Sequence, residues 1–277
     1  MDKAKVKNFI ILLLVLVNLF LLAIVLTNVR QARLAAADRK QALIAVLSQN
    51  GIRLSEDVDL SQSIPPQFTL RRDAEREQAL VSNLIGTAEM NDLGGNVYSY
   101  KSDVGEAKFR GTGEFTVLFS GSGIDSGKDA AATVHELLKK LGLRASDEAV
   151  QTSGSEVTVT LCCAWDDHPV YNARMAFYFS SDRLRLITGT RLFDKQSASA
   201  ALEDCPDSVT VLMNFLQSVR STGDVCTEIR GLDIGYFLVS SVSGECSLRP
   251  VWCVRTDSRA YYIDAETGKS ESLETAA

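Results

Sequence analysis

The sequence predicts an α+β protein: a single N-terminal transmembrane helix followed by two helix-plus-antiparallel-sheet units. Three observations carry this. One unbroken apolar run lies near the N-terminus, two amphipathic helix patterns are each followed by alternating strands, and a strand-turn-strand passage recurs in both halves. A length of 277 residues fits two ordinary domains. With 45% apolar and 23% charged residues, disorder is excluded as the main state. A net charge of −6 excludes a broad basic nucleic-acid surface, so no nucleic-acid partner is expected.

The first element is expected over residues 9–28. Phe9 to Leu26 reads FIILLLVLVNLFLLAIVL, eighteen residues with Asn18 as the one polar member. Eighteen helical residues rise ~27 Å, close to the ~30 Å hydrocarbon core of a bilayer. The run is longer than the apolar part of a cleavable signal peptide. The small-residue site Ala35-Ala36-Ala37 lies beyond Arg30 and Arg33, which argues for an uncleaved anchor. The charges flanking the run nearly balance, so the positive-inside rule gives almost a tie. The acidic remainder of the chain would be repelled by an anionic cytoplasmic leaflet. Residues 1–8 are therefore read as a cytoplasmic tail, and the body as extracellular at the cell membrane. Asn18 has no water to satisfy its amide inside a bilayer. It is read either as a hydrogen-bonding contact to a partner helix or as a passenger carried at modest cost.

Residues 29–70 are expected to hold a juxtamembrane helix and a linker. Leu34, Ala37, Ala42, Leu43, Val46 and Leu47 recur near helical spacing, and Asn50-Gly51 supplies a stop. A stalk, a coiled-coil arm and a helix docked on the body all fit. Pro65-Pro66 marks the linker, with a short strand before it.

A first unit is expected over 71–193. A helix over 71–86 carries Ala79, Leu80 and Leu84 on one side, and a strand over 114–119 alternates Phe115, Val117 and Phe119. A helix over 128–141 places Val134, Leu137, Leu138 and Leu141 inward, with Lys139 and Lys140 in its last turn and Gly142 after it. Strands follow over 156–163, 170–179 and 184–193. A second unit over 194–277 repeats the plan, with 194–201 as its linker. Asp207 or Ser208 caps a helix that Gly223 ends, and strands follow at about 225–242, 250–256 and 260–264. Pro169-Val170-Tyr171 is echoed by Pro250-Val251-Trp252, and Ser181-Asp182-Arg183 by Asp257-Ser258-Arg259.

Few residues offer chemistry. The loop Ser122 to Lys128 resembles a phosphate-binding loop only until its required positions are checked. Ser122 stands where the first Gly belongs, and Asp129 replaces the magnesium-binding hydroxyl. His135 and His168 are the only histidines, and no Ser or Cys stands in a nucleophile elbow, so no catalytic set is named. No cofactor and no metal site are expected. Cys162, Cys163, Cys205, Cys226, Cys246 and Cys253 contain no C-x-x-C pair; up to three disulfides and buried free thiols both fit. Trp252 is expected in the core. Asp264-Ala265-Glu266-Thr267-Gly268 reads as a tight turn with Gly where positive φ is needed.

Several of these passages carry a resemblance. Met1-Asp2-Lys3 with Lys7-Asn8-Phe9-Ile10, Asn18-Leu19-Phe20-Leu21 and Gln49-Asn50-Gly51-Ile52 are similar to the anchor and juxtamembrane helix of the YycI (WalI) family. Asp167-His168-Pro169-Val170-Tyr171-Asn172, Gly235-Tyr236, Pro250-Val251-Trp252-Cys253-Val254 and Tyr262-Ile263-Asp264-Ala265-Glu266-Thr267-Gly268 resemble that family's two units and the wider PepSY-like class. The cysteines depart from the usual family pattern. The resemblance marks Pro169, Tyr171, Tyr236, Pro250, Trp252, Tyr262, Asp264 and Gly268 as a structural signature. It implies a non-enzymatic, membrane-anchored regulator that restrains or tunes the sensor histidine kinase YycG of the YycFG (WalRK) two-component system. The implied partners are that kinase, a YycH-like sister protein and the lipid bilayer. A PepSY-like protease inhibitor or ligand-binding module at the cell surface is the alternative.

Overall fold

The computed structural model describes residues 3–121, 123–127, 129–190, 192, 195–203, 205–240 and 245–271. In the first helix, side chains are described for residues 13–25, 27, 34 and from 37 onward; in the strand over 195–200, for 199 and 200. The chain divides into two compact units, Met1–Leu54 and Ser55–Ala277.

The first unit holds α1 (Lys3–Gln49) and the two-residue strand β1 (Arg53–Leu54). The expected helices over 9–28 and 29–49 are one continuous helix. It ends where Asn50-Gly51 was expected to stop it: Gly51 sits at φ +76°, and Ile52 N–H donates to Leu47 O at 3.0 Å. The expected transmembrane helix requires correction. Among the described residues, no helix is long and apolar enough to cross a membrane. A span needs about 20 apolar residues. Asn18 lies exposed on α1 among exposed apolar neighbours such as Leu19 and Phe20.

The second unit opens with β2 (Gln67–Arg71). Three helix-plus-meander blocks follow among the described residues. The first is α2 (Ala74–Ile85) with β3 (Glu89–Asp92), β4 (Tyr98–Lys101), β5 (Gly105–Phe109) and β6 (Glu114–Phe119). After β7 (Ile124–Asp125), the second is α3 (Ala130–Leu141) with β8 (Ala145–Ser153), β9 (Glu156–Trp165), β10 (His168–Ser180) and β11 (Arg183–Thr190). After β12 (Lys195–Ala200), the third is α4 (Ser208–Thr222) with β13 (Glu228–Ser240), β14 (Glu245–Thr256), β15 (Ala260–Asp264) and β16 (Ser270–Glu271). In each block, consecutive strands pair antiparallel. Each helix packs on its own block's strands: α2 on β5, α3 on β9, and α4 on β14, β15 and β16.

The helices form for local reasons. Asp73, Asp129 and Asp207 cap the three N-termini by accepting from backbone N–H groups two or three residues on, and Gly86, Gly142 and Gly223 end them at positive φ. Their buried faces follow the 3.6-residue period: Leu80, Val81 and Leu84 on α2, Val134, Leu137 and Leu138 on α3, and Leu212, Phe215, Leu216 and Val219 on α4. Asp129, which spoils the phosphate-loop reading, is the cap of α3; Ser122 and Lys128 of that loop lie outside the described residues.

The blocks join into one sheet of order β12-β2-β14-β13-β10-β11-β6-β5-β4-β3, with β9 and β8 branching from β10, and β15 and β16 from β14. Two long strands share an edge between two partners. Opposite β9, β10 pairs with β13 at Val170 and then with β11 from Met175. Opposite β13, β14 pairs with β2 over Glu245–Leu248 and then with β15 from Val251. The sequence echo maps onto this likeness: Pro169-Val170-Tyr171 lies in β10 and Pro250-Val251-Trp252 in β14. Residues 195–200, expected within a linker, form β12 and pair with β2, itself expected within a linker.

Candidate functional site

Where β10 meets β13, the sheet is parallel and its regular pairing is a single bridge, Val170 to Tyr236. Side chains extend it on both sides. His168 Nδ1 lies 3.3 Å from Ile234 O. The Asn172 amide donates to Leu238 O at 2.8 Å and accepts from Leu238 N–H at 2.7 Å, replacing a backbone rung with a side chain. Residues 168, 170 and 172 thus face 234, 236 and 238. The close approach requires Gly235: a Cβ there would lie 2.4 Å from Pro169 O and 2.7 Å from the Tyr171 ring.

Tyr171, Phe237 and Tyr262 gather beside this joint, with ring centroids 5.0 to 6.4 Å apart, and Val251 and Cys253 complete their buried cluster. Next to it opens a cleft of about 570 Å³. Its lining draws on the second and third blocks: Ser146 and Asp147 from β8, Cys162 from β9, Tyr171 and Arg174 from β10, Asp233 from β13, Cys253 and Arg255 from β14, and Tyr262 from β15.

Part of this lining is already paired. Arg255 Nε lies 2.7 Å from Asp233 Oδ2, and Asp167 takes Arg144 at 3.1 Å. Part is not. The buried hydroxyls of Tyr171 and Ser146 meet no hydrogen-bond partner. Arg174 and Asp147, both exposed, have no hydrogen bond or ion pair among the described residues. Asp147 is held at φ +51° where the β8–β9 register shifts. Both charges act on the Cys162 thiol and on the Tyr262 phenol, which places them around one space.

Among the described residues, Cys162, Cys163, Cys226, Cys246 and Cys253 are free thiols. Burial pushes the Cys162 thiol up to about 11 and the Cys253 thiol to about 12, Asp233 adding to the latter. Burial likewise raises Tyr171, and moves Tyr262 to about 12. Since thiolate is the reactive form, both cleft thiols are held in their unreactive state at neutral pH.

The signature residues divide between two places. Pro169, Tyr171 and Tyr262 line the cleft. The remainder are structural. Tyr236 is fully buried on the other side of β13 and donates to Pro66 O at 3.1 Å. Pro250 O accepts from Ala265 N–H, and Trp252 is 1% exposed. Asp264 Oδ1 accepts from the Glu266 and Thr267 N–H groups at 3.0 and 2.7 Å, and Gly268 O takes the Asn214 amide of α4 at 3.0 Å. Arg174, Asp147, Ser146 and Asp233 were not anticipated. The one available signal was Arg174, a charge inside the alternating apolar run of β10.

No known family's model matches this chain, and no curated protein matches it. Among solved structures, an uncharacterised protein from Eubacterium rectale aligns with a TM-score of 0.47 at 8% identity, covering 80% of this chain and 89% of that one. The C-terminal domain of YpeB from Bacillus megaterium aligns at 0.39 with 10% identity, covering 72% of this chain and 93% of its own. Likeness at this level assigns neither activity nor partner.

Proposed function

We propose that the chain is a non-enzymatic regulatory module of the PepSY-like kind, whose recognition site is the cleft between its second and third blocks. The observation that carries this reading is the state of the cleft's polar groups. Among the described residues, two buried hydroxyls and two opposite charges stand without partners, while the thiols beside them are held protonated. A buried polar atom left unpaired costs ~1–3 kcal/mol, a cost that a bound molecule removes. Unreactive thiols suit binding rather than covalent chemistry.

The sequence passages similar to the YycI family supply the partner in this proposal: a sensor histidine kinase controlling cell-wall metabolism, together with a YycH-like sister protein. In the test, purified full chain is added to the YycG-like kinase of the same cell. Autophosphorylation is expected to fall at least twofold, and the two proteins to co-purify. A kinase that neither binds the chain nor changes its rate overturns the partner assignment.

A further inference from the structure

We propose that the cleft binds a small zwitterion of the α-amino-acid type, with Arg174 taking the carboxylate and Asp147 the ammonium group. The proposal rests on reading the cleft as the recognition site and names what it recognises. The remaining charges set the requirement. Arg255 is spent on Asp233 and Asp167 on Arg144, so among the described residues the cleft presents one unpaired cation, Arg174, and one unpaired anion, Asp147. A simple anion would satisfy Arg174 and be repelled by Asp147; a simple cation would meet the reverse. A molecule carrying both charges answers both.

The rest of the lining agrees. The Tyr171 hydroxyl, on a residue 7% exposed, has no partner, and neither does the buried Ser146 hydroxyl. A hydroxyl donates to a carboxylate and accepts from an ammonium. Pro169 and the Tyr262 ring supply apolar wall for a side group. The volume of about 570 Å³ lies within the ~300–1,000 Å³ range of small-molecule sites.

Calorimetric titration of the full chain tests this with L-phenylalanine, L-phenylalaninamide, which lacks the carboxylate, and N-acetyl-L-phenylalanine, which lacks the ammonium. L-phenylalanine is expected to bind saturably at one site, and each blocked derivative at least tenfold more weakly. Arg174→Gln and Asp147→Asn alter exposed side chains, and asparagine keeps the left-handed backbone at 147. Each should weaken L-phenylalanine at least tenfold. Arg174→Gln should leave the residual binding of the amide unchanged, and Asp147→Asn that of the acetylated form. No saturable heat, equal binding of a blocked derivative, or variants that bind like the original chain overturn the proposal. If L-phenylalanine fails while the chain still regulates the kinase, the ligand class is wrong and the regulatory reading stands. If it binds through both charges while the kinase is unaffected, the partner is wrong and the ligand class stands.

Discussion

Asn172 shows how much one side chain holds here. Its amide serves both the N–H and the C=O of Leu238, at a part-buried position where the backbone of β10 turns away from β13. Asn172→Ala leaves both groups unpaired. Each unsatisfied group costs ~1–3 kcal/mol, so a loss of about 2–6 kcal/mol is expected in urea unfolding. A loss under ~0.5 kcal/mol would mean that water replaces the amide without cost. The passage from Asp167 to Asn172 drew notice as a signature, yet its role was not legible. Nothing in a sequence says that an Asn in a strand faces a parallel neighbour some 66 positions away.

Among the elements, legibility followed amphipathicity. Helices α2, α3 and α4 were expected within about three residues of their observed starts, because capping Asp, apolar stripe and terminal Gly agree at each. The strand over 114–119 alternates cleanly between exposed and buried positions and was read with its correct bounds. The strands β3 and β8 were missed for the opposite reason, and β5, whose burial does alternate, because Gly105 and Ala107 give little apolar signal. β3 is exposed along its whole length and β8 along nearly all of it, so neither carries an apolar alternation. The first helix-plus-meander block was therefore invisible as a block. The small residues of β12 imitate a linker, and only pairing with β2 shows it to be sheet. The caps permit a test at this scale. Asp129→Ala removes the bond to Ala132 N–H at 2.9 Å and should lower stability by ~0.5–2 kcal/mol, while Asp129→Asn should restore most of it. An unchanged melting midpoint in the alanine variant would show that α3 is held by its packing on β9 alone.

For the whole molecule, the buried thiols set the response to alkali. Burial raises Cys162 to about 11 and Cys163 and Cys253 to about 12, against ~8.5 in an unfolded chain. The folded state keeps these protons where the unfolded state has released them. Their stabilisation is thus fully present below about pH 8.5 and is lost as pH rises through about 11 to 12. Urea midpoints should fall steadily from pH 8 to pH 11, and less steeply when Cys162, Cys163 and Cys253 are all replaced by Ala. Equal slopes in the two proteins would assign the alkaline loss to other groups.

The Asn172 joint also bears on descent. Pairing inside each meander runs backbone to backbone, and among single substitutions only proline deletes such a bond outright. The joint between the second and third blocks is written instead in the imidazole of His168, the amide of Asn172 and the missing Cβ of Gly235. A single-codon change reaches any of these while the backbone bonds inside each meander keep their donors and acceptors. A lineage that duplicates such blocks therefore inherits sturdy bricks and editable mortar, and is free to rework the seam where its cleft opens.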